Sequence, residues 1–527
     1  MDMRILIFIL ISFSLEYLTE ASGDCGGCFK PPDFTSPYIL MEAQTDQSKE
    51  IVEHGLNEVP IKVDVQVRAI NTTDPVFPGL GSSQRDDDEP APYGGVVYKY
   101  NDISVVLYAP NRNDGSSSGT IIYTGNDTWN GPHHQTEDRA EVRAKVWTNC
   151  SFPKPQFDSD WFPMAVNNGS QSFKEIAHGL GTYPEYVSVQ IKDKNSNWYS
   201  DGIGSAMTVQ NLTPQSAWGG VIYGFNESHV RIWVPGFDSG SMYSTADGWG
   251  RGSKEFWNEG SVRVRVWSHF KADLIYSAVS LLGNTTRKRH SHHLSTRKGG
   301  SMDIDNGMIY VTVKAVGGKN AGFSFPGMGA VQNADPNESF GGLVYAYGPR
   351  SIAVWQHVQH DHGYLVYINQ NWGGGLMSQK SKNGSMIVRF WEPYTSRCPT
   401  SPINHPVTVH LDNGNPTTLS SVQSAAMTNT VHLHTTAAPN TVNTNTTASQ
   451  TSAMQASTHQ QSTIGSSSAS FLSPAATSEE SQGMSGAVLG IIIGACLLVV
   501  CGVVTGVICA FYKKKKMQIE DKNVVNE

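Results

Sequence analysis

The amino-acid sequence predicts an all-β fold of three tandem antiparallel β-sandwich-like repeats, followed by a disordered stalk and one transmembrane α-helix. Three observations carry this prediction. The segment YGGVVYKYNDISVVLY at 93–108 recurs as WGGVIYGFNESHVRIW at 218–233 and as FGGLVYAYGPRSIAVW at 340–355. Apolar residues alternate with a period of two in every copy, as they do in strands. Apart from the first residues and one late apolar segment, no long run has apolar residues at helical spacing.

The chain begins with a predicted secretory signal peptide at 1–23, where Arg4 precedes an apolar run and small residues precede the cleavage site. A Cys-containing segment, three repeats and two linkers follow. Their predicted boundaries, in order, are 24–50, 51–150 for repeat 1, the linker 151–170, 171–270 for repeat 2, the linker 271–300 and 301–393 for repeat 3.

Each repeated segment is interpreted as a β-hairpin that begins with a pair of glycines. The turn-forming stretches NDIS, NESH and GPRS separate its two apolar halves. The glycine pairs at 94–95, 219–220 and 341–342 indicate a bend or bulge that a side chain would obstruct, or alternatively a backbone that approaches a ligand.

Every repeat closes with a strand whose two faces differ in kind: VRAKVW at 142–147, VRVRVW at 262–267 and MIVRFW at 386–391. The apolar face is expected in the core. The other face is either a solvated sheet surface or a basic aromatic platform that binds a ligand. A loop before each closing strand holds one Trp suited to stacking on a sugar ring. The candidate ligand-binding residues are Trp129, Trp249, Trp372, Arg263, Arg265 and Trp267.

The segment TTRKRHSHHLSTRKGG at 285–300 is rich in basic residues without apolar partners, so it is predicted to be an unfolded linker that a protease specific for basic sites can reach. Residues 394–485 are dominated by Ser and Thr, which predicts an extended, O-glycosylated, mucin-like stalk.

Residues 486–512 carry no charge and are long enough to cross a hydrocarbon core of about 30 Å. Four lysines follow, which by the positive-inside rule places the tail at 513–527 in the cytoplasm. Glycines at a spacing of four favour close contact between two such helices and therefore a homodimer. The glycines are Gly486, Gly490, Gly494, Gly502 and Gly506, which cannot all share one helix face.

An extracellular context also predicts disulfides and N-linked glycans. The disulfide candidates are Cys25, Cys28, Cys150 and Cys398, whose three possible pairings stay open. The predicted glycosylation sites are Asn71, Asn126, Asn149, Asn168, Asn211, Asn226, Asn284, Asn337, Asn383 and Asn445.

The composition excludes several other classes of function. A formal net charge of −8 argues against nucleic acid as a partner. The set His357, His360 and His362 and the acidic run 86–89 have spacings that metals use, but neither recurs in the other repeats, so no metal is predicted. No catalytic motif is present, and we therefore expect neither an enzyme nor a cofactor.

The order of a PxxVxV strand and a closing VxVxW strand resembles the H-type lectin domain. In repeat 2 the matching positions are Pro184, Val187, Val189, Val264 and Trp267. The resemblance covers only these strand residues, and it implies a small antiparallel β-sandwich that binds sugars.

Together these features predict a type I single-pass glycoprotein of the plasma membrane with its N-terminus outside the cell. Its repeats are expected to bind an extracellular ligand, in the sharpest form a glycan. The alternatives are homophilic adhesion to an apposed cell-surface protein of the same kind, and a structural surface coat without a specific ligand.

Overall fold

A computed structural model describes twelve segments of the chain: 27–84, 92–111, 119–126, 128–206, 218–237, 240–245, 248–282, 291–293, 300–333, 339–357, 362–394 and 407–410. Within these segments no helix is long and apolar enough to cross a bilayer. The predicted signal peptide, nearly all of the stalk, the predicted membrane span with its five glycines, and the tail lie outside them.

The described residues form an all-β structure with many antiparallel sheets, as predicted. In the structure each repeat includes the segment that precedes it, so that repeat 1 spans 27–150, repeat 2 spans 151–270 and repeat 3 spans 271–394. Repeat 1 contains β1 Phe34–Thr35, β2 Ile39–Glu42, β3 Lys49–Glu53, β4 Lys62–Ala69, β5 Val76–Pro78, β6 Tyr93–Gly94, β7 Val97–Tyr100, β8 Ser104–Tyr108, β9 Gly119–Thr120, β10 Ile122–Tyr123, β11 Trp129–Asn130, β12 Thr136–Glu137 and β13 Arg139–Trp147. Repeat 2 contains β14 Phe157–Asp158, β15 Phe162–Ala165, β16 Phe173–Ala177, β17 Tyr186–Asp193, β18 Tyr199–Asp201, β19 Trp218–Gly219, β20 Ile222–Phe225, β21 His229–Trp233, β22 Gly240–Ser241, β23 Tyr243–Ser244, β24 Phe256–Trp257 and β25 Glu259–Trp267.

Repeat 3 contains β26 Leu274–Leu282, β27 Ser291–His293, β28 Met308–Ala315, β29 Ser324–Pro326, β30 Phe340–Gly341, β31 Val344–Gly348, β32 Ser351–His357, β33 Gly363–Tyr364, β34 Val366–Ile368, β35 Gln379–Ser381 and β36 Asn383–Trp391. A further strand, β37 Val407–His410, follows it. Three 3-10 helices, Asp46–Ser48, Gly169–Gln171 and Gly373–Gly375, are the helical segments within the described residues.

Each of the three large sheets joins strands from two repeats. The repeat 1 sheet runs β1-β13-β4-β5-β31-β32-β11, with β2 also on β13 and β27 also on β32. The repeat 2 sheet runs β14-β25-β17-β18-β7-β8-β3, with β15 also on β25, and the repeat 3 sheet runs β16-β21-β20-β29-β28-β36-β26-β37. The hairpin of each repeat therefore completes the sheet of another, and the exchange is cyclic.

The exchanged hairpins join their host sheets at one equivalent register in all three cases. The residue pairs at the junction are Tyr199 opposite Tyr100, Ser324 opposite Phe225 and Val76 opposite Tyr347. A single repeat consequently does not contain a complete sheet, which differs from the expectation of separate sandwich-like units. Side-chain alternation in the sequence defines the two faces of a strand, but it does not define the partner of that strand.

Segments predicted to be linkers also contribute strands. The predicted linker 151–170 contains β14 and β15, which pair with β25, and the predicted linker 271–300 contains β26 and β27. Their role has a simple cause, because the closing strand would otherwise have unpaired backbone groups along one side. β14, β15 and β26 thus cover the open side of a closing strand, whereas β27 pairs with β32, and β26 is itself paired with β37 on its other side.

Three equivalent phenylalanines, each just before the first strand of its repeat, contact one another. The ring centroids of Phe29, Phe152 and Phe270 lie 5.6 Å, 5.4 Å and 5.4 Å apart in pairs. Each ring also packs on the closing Trp of its own sheet, Trp147, Trp267 or Trp391. The three repeats thus share one aromatic core at this end.

Glycines allow the repeats to approach each other closely. The second glycine of each hairpin pair, Gly95, Gly220 or Gly342, has a φ of 123°, 126° or 119°, which side chains rarely adopt. A short glycine-containing segment precedes each hairpin, at 77–82, 201–206 and 325–330, and we call it the glycine step. In these steps a Cβ on Gly81, Gly204 or Gly329 would collide with the backbone carbonyl of Asp201, Pro326 or Pro78, which belongs to another repeat. The structural interpretation of the glycine pairs, as positions that a side chain would obstruct, is therefore confirmed.

Candidate functional site

The three loop tryptophans proposed as sugar platforms are buried, with exposed fractions of 1% for Trp129, 1% for Trp249 and 0% for Trp372. Each ring packs against the aromatic residue that precedes the glycine pair of another repeat. The pairs are Trp129 with Phe340 at 5.6 Å, Trp249 with Tyr93 at 5.5 Å and Trp372 with Trp218 at 5.2 Å. The prediction that these three tryptophan rings are exposed is therefore wrong, because each ring packs between two repeats. The repeated aromatic before each glycine pair is the sequence signal for this contact.

The polar face of β25, the closing strand of repeat 2, is more buried than its sequence predicts. Trp267 is fully buried, and its Nε1–H donates to the carbonyl of Pro153 at 2.7 Å. Arg265 is 8% exposed, and its guanidinium lies 3.4 Å from Asp158. Burial lowers the pKa of Arg265, and nearby Arg263 lowers it further. Of the three predicted residues on this strand, only Arg263 reaches solvent, with 31% of its side chain exposed.

Arg263 belongs to a row of aromatic and basic side chains across the repeat 2 sheet, which we call the Trp161 face. Its guanidinium donates twice to the Asp158 carboxylate, at 2.6 Å each, and lies 5.8 Å from the centre of the half-buried Trp161 ring. Tyr199 lies beside Trp161 at 5.9 Å, and the Lys192 ammonium lies 5.7 Å from the Tyr199 ring. A basic aromatic surface is thus present, but its Trp comes from the edge of the sheet.

Trp198, which is also half-buried, lies on the opposite face of the repeat 2 sheet. Its neighbour Lys99 precedes Tyr100 in β7, and Tyr100 stacks on Tyr199 of the Trp161 face at 6.1 Å, so the two consecutive side chains point to opposite faces. The ammonium of Lys99 lies 4.3 Å from the Trp198 ring and 2.5 Å from the Glu255 carboxylate. Burial lowers the pKa of Lys99, whereas the hydrogen bond to Glu255 opposes this shift. Lys192 has no ion-pair partner among the described residues, so the Trp161 face offers a cation and one indole ring.

The repeat 1 sheet carries a smaller counterpart of this surface. Tyr38 occupies the position of Trp161, and the guanidinium carbons of Arg68 and Arg143 lie 3.5 Å and 4.4 Å from the centre of its ring. The corresponding residues of the repeat 3 sheet are Ser277 and Ile387, which cannot form such a cluster. Trp161 was not among the predicted site residues, because the position that it shares with Tyr38 becomes visible only when the strand registers are known.

Strands of all three repeats surround a polar cavity of about 100 Å³. Tyr98, Tyr223 and Tyr345 line it from the three hairpins. The Asp201 carboxylate at its wall accepts hydrogen bonds from Tyr98 at 2.7 Å and from Tyr100 at 2.8 Å. Burial raises the pKa of Asp201, and the nearby Lys62 ammonium opposes this shift. The volume is below the roughly 300 Å³ of ordinary ligand pockets and holds only a few water molecules.

Two further sets of predicted residues, the candidate metal ligands and the disulfide candidates, lie outside these surfaces. His357, a candidate metal ligand in the sequence, is 2% exposed and packs on Phe340 at 4.3 Å, so it is a core residue. No group of three metal-binding side chains occurs in the described segments, while His360 and the acidic run 86–89 lie outside them. Cys28 and Cys150 are each disulfide-bonded, and Cys25 and Cys398 lie outside.

Most predicted glycosylation sites in the described segments lie at the surface. Asn226 is partly exposed in the turn between β20 and β21. The exposed sites are Asn71, Asn126, Asn149, Asn168 and Asn383. The sites outside the described residues are Asn211, Asn284, Asn337 and Asn445.

Comparison of the chain with protein-family models and with curated proteins finds no match. The resemblance to the H-type lectin domain therefore stays a prediction.

Proposed function

We propose that this chain is a type I single-pass glycoprotein of the cell surface whose interlocked β repeats bind an extracellular glycan through the Trp161 face. The signal peptide, the stalk, the membrane span and the basic tail of the sequence support the location. The exposed asparagines of the described glycosylation sites are compatible with a glycosylated ectodomain.

One observation carries the choice of ligand: Trp161 is half-buried, so part of its indole ring is available to solvent. Indole rings have an apolar face that suits the C–H groups of a sugar, and fixed polar groups beside the ring orient the hydroxyls. The salt bridge between Arg263 and Asp158 offers donors and an acceptor beside Trp161. The Lys192 ammonium favours a glycan with an acidic substituent.

The experiment is a glycan array probed with the purified full-length chain and with Trp161→Ala. Binding of a defined glycan class by the natural chain, and a loss of about five- to tenfold in the variant, would support the proposal, because one stacked ring contributes about 1–1.5 kcal/mol. Phe256→Ala is the matched control, since Phe256 is 40% exposed and has no cation over its ring in the described segments.

A folded chain that binds no glycan would contradict this function. Equal glycan binding by the natural chain and by Trp161→Ala would contradict the site. Circular dichroism of both variants checks that each retains its β structure.

A further inference from the structure

The open edge of the repeat 2 sheet is formed by β3. This strand pairs with β8 on one side, from Lys49 opposite Tyr108 to Glu53 opposite Ser104. In the described part of the chain no strand pairs with its other side. An unpaired edge offers a row of backbone donors and acceptors to another strand.

Hydrogen bonds at the two ends of the β3–β8 pairing show which residues of β3 direct their backbone N–H and C=O groups toward the open edge. The amide of His54 donates to the carbonyl of Ile103 at 2.8 Å, and the amide of Ala109 donates to the carbonyl of Ser48 at 2.7 Å. Antiparallel pairs alternate between bonded and non-bonded residues, so even-numbered residues of β3 bond to β8. The N–H and C=O groups of Lys49, Ile51 and Glu53 therefore point to the open edge.

The side chains of these same three residues are exposed. Ile51 is 59% exposed, which makes it one of the most exposed large apolar residues in the described segments. Lys49 and Glu53 lie two positions before and after it and have no ion-pair partner in those segments. Charged residues commonly protect an edge strand against pairing, but Lys49 and Glu53 have opposite charges and would attract each other if two copies of this strand met antiparallel.

We propose that β3 is a self-association edge, which pairs antiparallel with β3 of a second copy of this chain. A twofold axis through Ile51 would place Ile51 opposite Ile51 and Lys49 opposite Glu53 at both ends. Each copy would satisfy the outward backbone groups of the other, as in the addition of a strand to a sheet. The edge is thus complementary to itself in hydrogen bonding, in apolar contact and in charge.

The equivalent edge of the repeat 3 sheet lacks this complementarity. Its strand β16 has Glu175 at the position of Ile51, so that two copies would bring like charges together. Phe173 and Ala177 stand where β3 has Lys49 and Glu53. The turn beside β16 also carries the glycosylation site Asn226, whereas the corresponding turn beside β3 reads Asn-Asp-Ile and carries none.

Five residues of strand form a small contact, so a single pair of copies is expected to dissociate readily. Many copies on one surface strengthen such a contact through multivalency. Beads coated with the purified full-length chain, attached through a C-terminal tag, reproduce this situation. The readout is bead aggregation by light scattering.

Charge exchange tests the proposed register directly. Lys49→Glu and Glu53→Lys each place like charges opposite one another at both ends, and each is expected to weaken aggregation by about tenfold. The double variant Lys49→Glu/Glu53→Lys restores opposite charges and is expected to aggregate like the natural chain. Mixed beads that carry the two single variants should likewise aggregate with each other.

Ala177→Lys on β16 is the matched control, because it adds a charge at the position equivalent to Glu53 and should leave aggregation unchanged. Aggregation should persist after enzymatic removal of N-linked glycans and in Trp161→Ala, which separates self-association from glycan binding. Absence of aggregation by the natural chain would overturn the proposal. Equal loss in the single and double variants, with folding retained, would overturn it as well.

Discussion

His54 and His178 show how single residues fix the repeated hairpins. The Nδ1 atom of each ring accepts the amide hydrogen of the leucine two residues later, at 3.3 Å in both repeats. The Nε2 atom therefore carries the proton and donates to the hairpin carbonyl, of Asn101 at 3.3 Å and of Asn226 at 3.1 Å. Burial lowers the pKa of both histidines because it disfavours the charged ring, whereas the hydrogen bonds to the hairpin carbonyls oppose this shift.

These pKa shifts predict a loss of stability in mild acid. The unfolded chain takes up protons near pH 6.5 and the folded chain only at lower pH, so stability is present above about pH 6.5 and is lost as the pH falls through the lowered pKa. Replacement His178→Gln should cost about 1 kcal/mol at pH 7.5, because one hydrogen bond is lost. Its Tm should then fall less between pH 7.5 and pH 5.5 than that of the natural chain.

Thermal unfolding at the two pH values measures this difference. Comparing the two proteins removes the contribution of Asp201, whose raised pKa acts in the opposite direction and is common to both. An equal fall in Tm for both proteins would show that His178 does not sense pH.

At the scale of elements, the sequence predicted the strands but not their partners. Period-two alternation located the hairpins and the closing strands, although strands such as β7 and β8 are in fact buried on both faces. The exchange between repeats could not be predicted, since every hairpin has almost the same pattern and fits any of the three sheets. Trp249 was interpreted as exposed for a related reason: its loop is polar, and the Tyr93 ring that covers it belongs to another repeat.

The glycine steps test the close contact between elements of different repeats. In Gly204→Ala the new Cβ would overlap the carbonyl of Pro326, so either β29 or the step must move. We expect a loss of about 1–3 kcal/mol or more in the free energy of unfolding, as for other overpacked sites. Gly317→Ala is the control, because nothing lies within 4 Å of its Cβ position and its φ is not positive.

Urea unfolding of both variants, followed by tryptophan fluorescence, measures the two free energies. A surface change without steric conflict should stay within about 0.5 kcal/mol of the natural chain. A Gly204→Ala variant as stable as Gly317→Ala would show that the steps do not pack as described.

At the scale of the whole described body, the three repeats close on one another. The amide of Tyr394, after the last closing strand, donates to the carbonyl of Phe29, before the first strand, at 2.8 Å. The amide of Lys30 donates to the carbonyl of Ser151 at 2.8 Å. Both ends of this stretch, Phe29 and Tyr394, thus lie at the aromatic core of Phe29, Phe152 and Phe270.

A single repeat is therefore expected not to fold. Residues 151–270 alone lack β7 and β8 for their sheet, and their own hairpin lacks β28 and β29 beside it. This fragment should show no cooperative thermal transition by circular dichroism and should be cut rapidly by trypsin. The full-length chain under the same conditions is the reference, and a sharp, reversible transition of the fragment would contradict the cyclic exchange.

The exchange of hairpins also limits how such a gene can change. In solenoid proteins each unit contacts only its neighbours, so evolution can add or delete one unit at a time. Here the loss of one repeat would leave one hairpin without a sheet to join and one sheet without its hairpin. An additional repeat would have to insert into the closed arrangement of three repeats. The number of copies is therefore fixed by geometry, and variation between descendants should appear in the loops, not in the count.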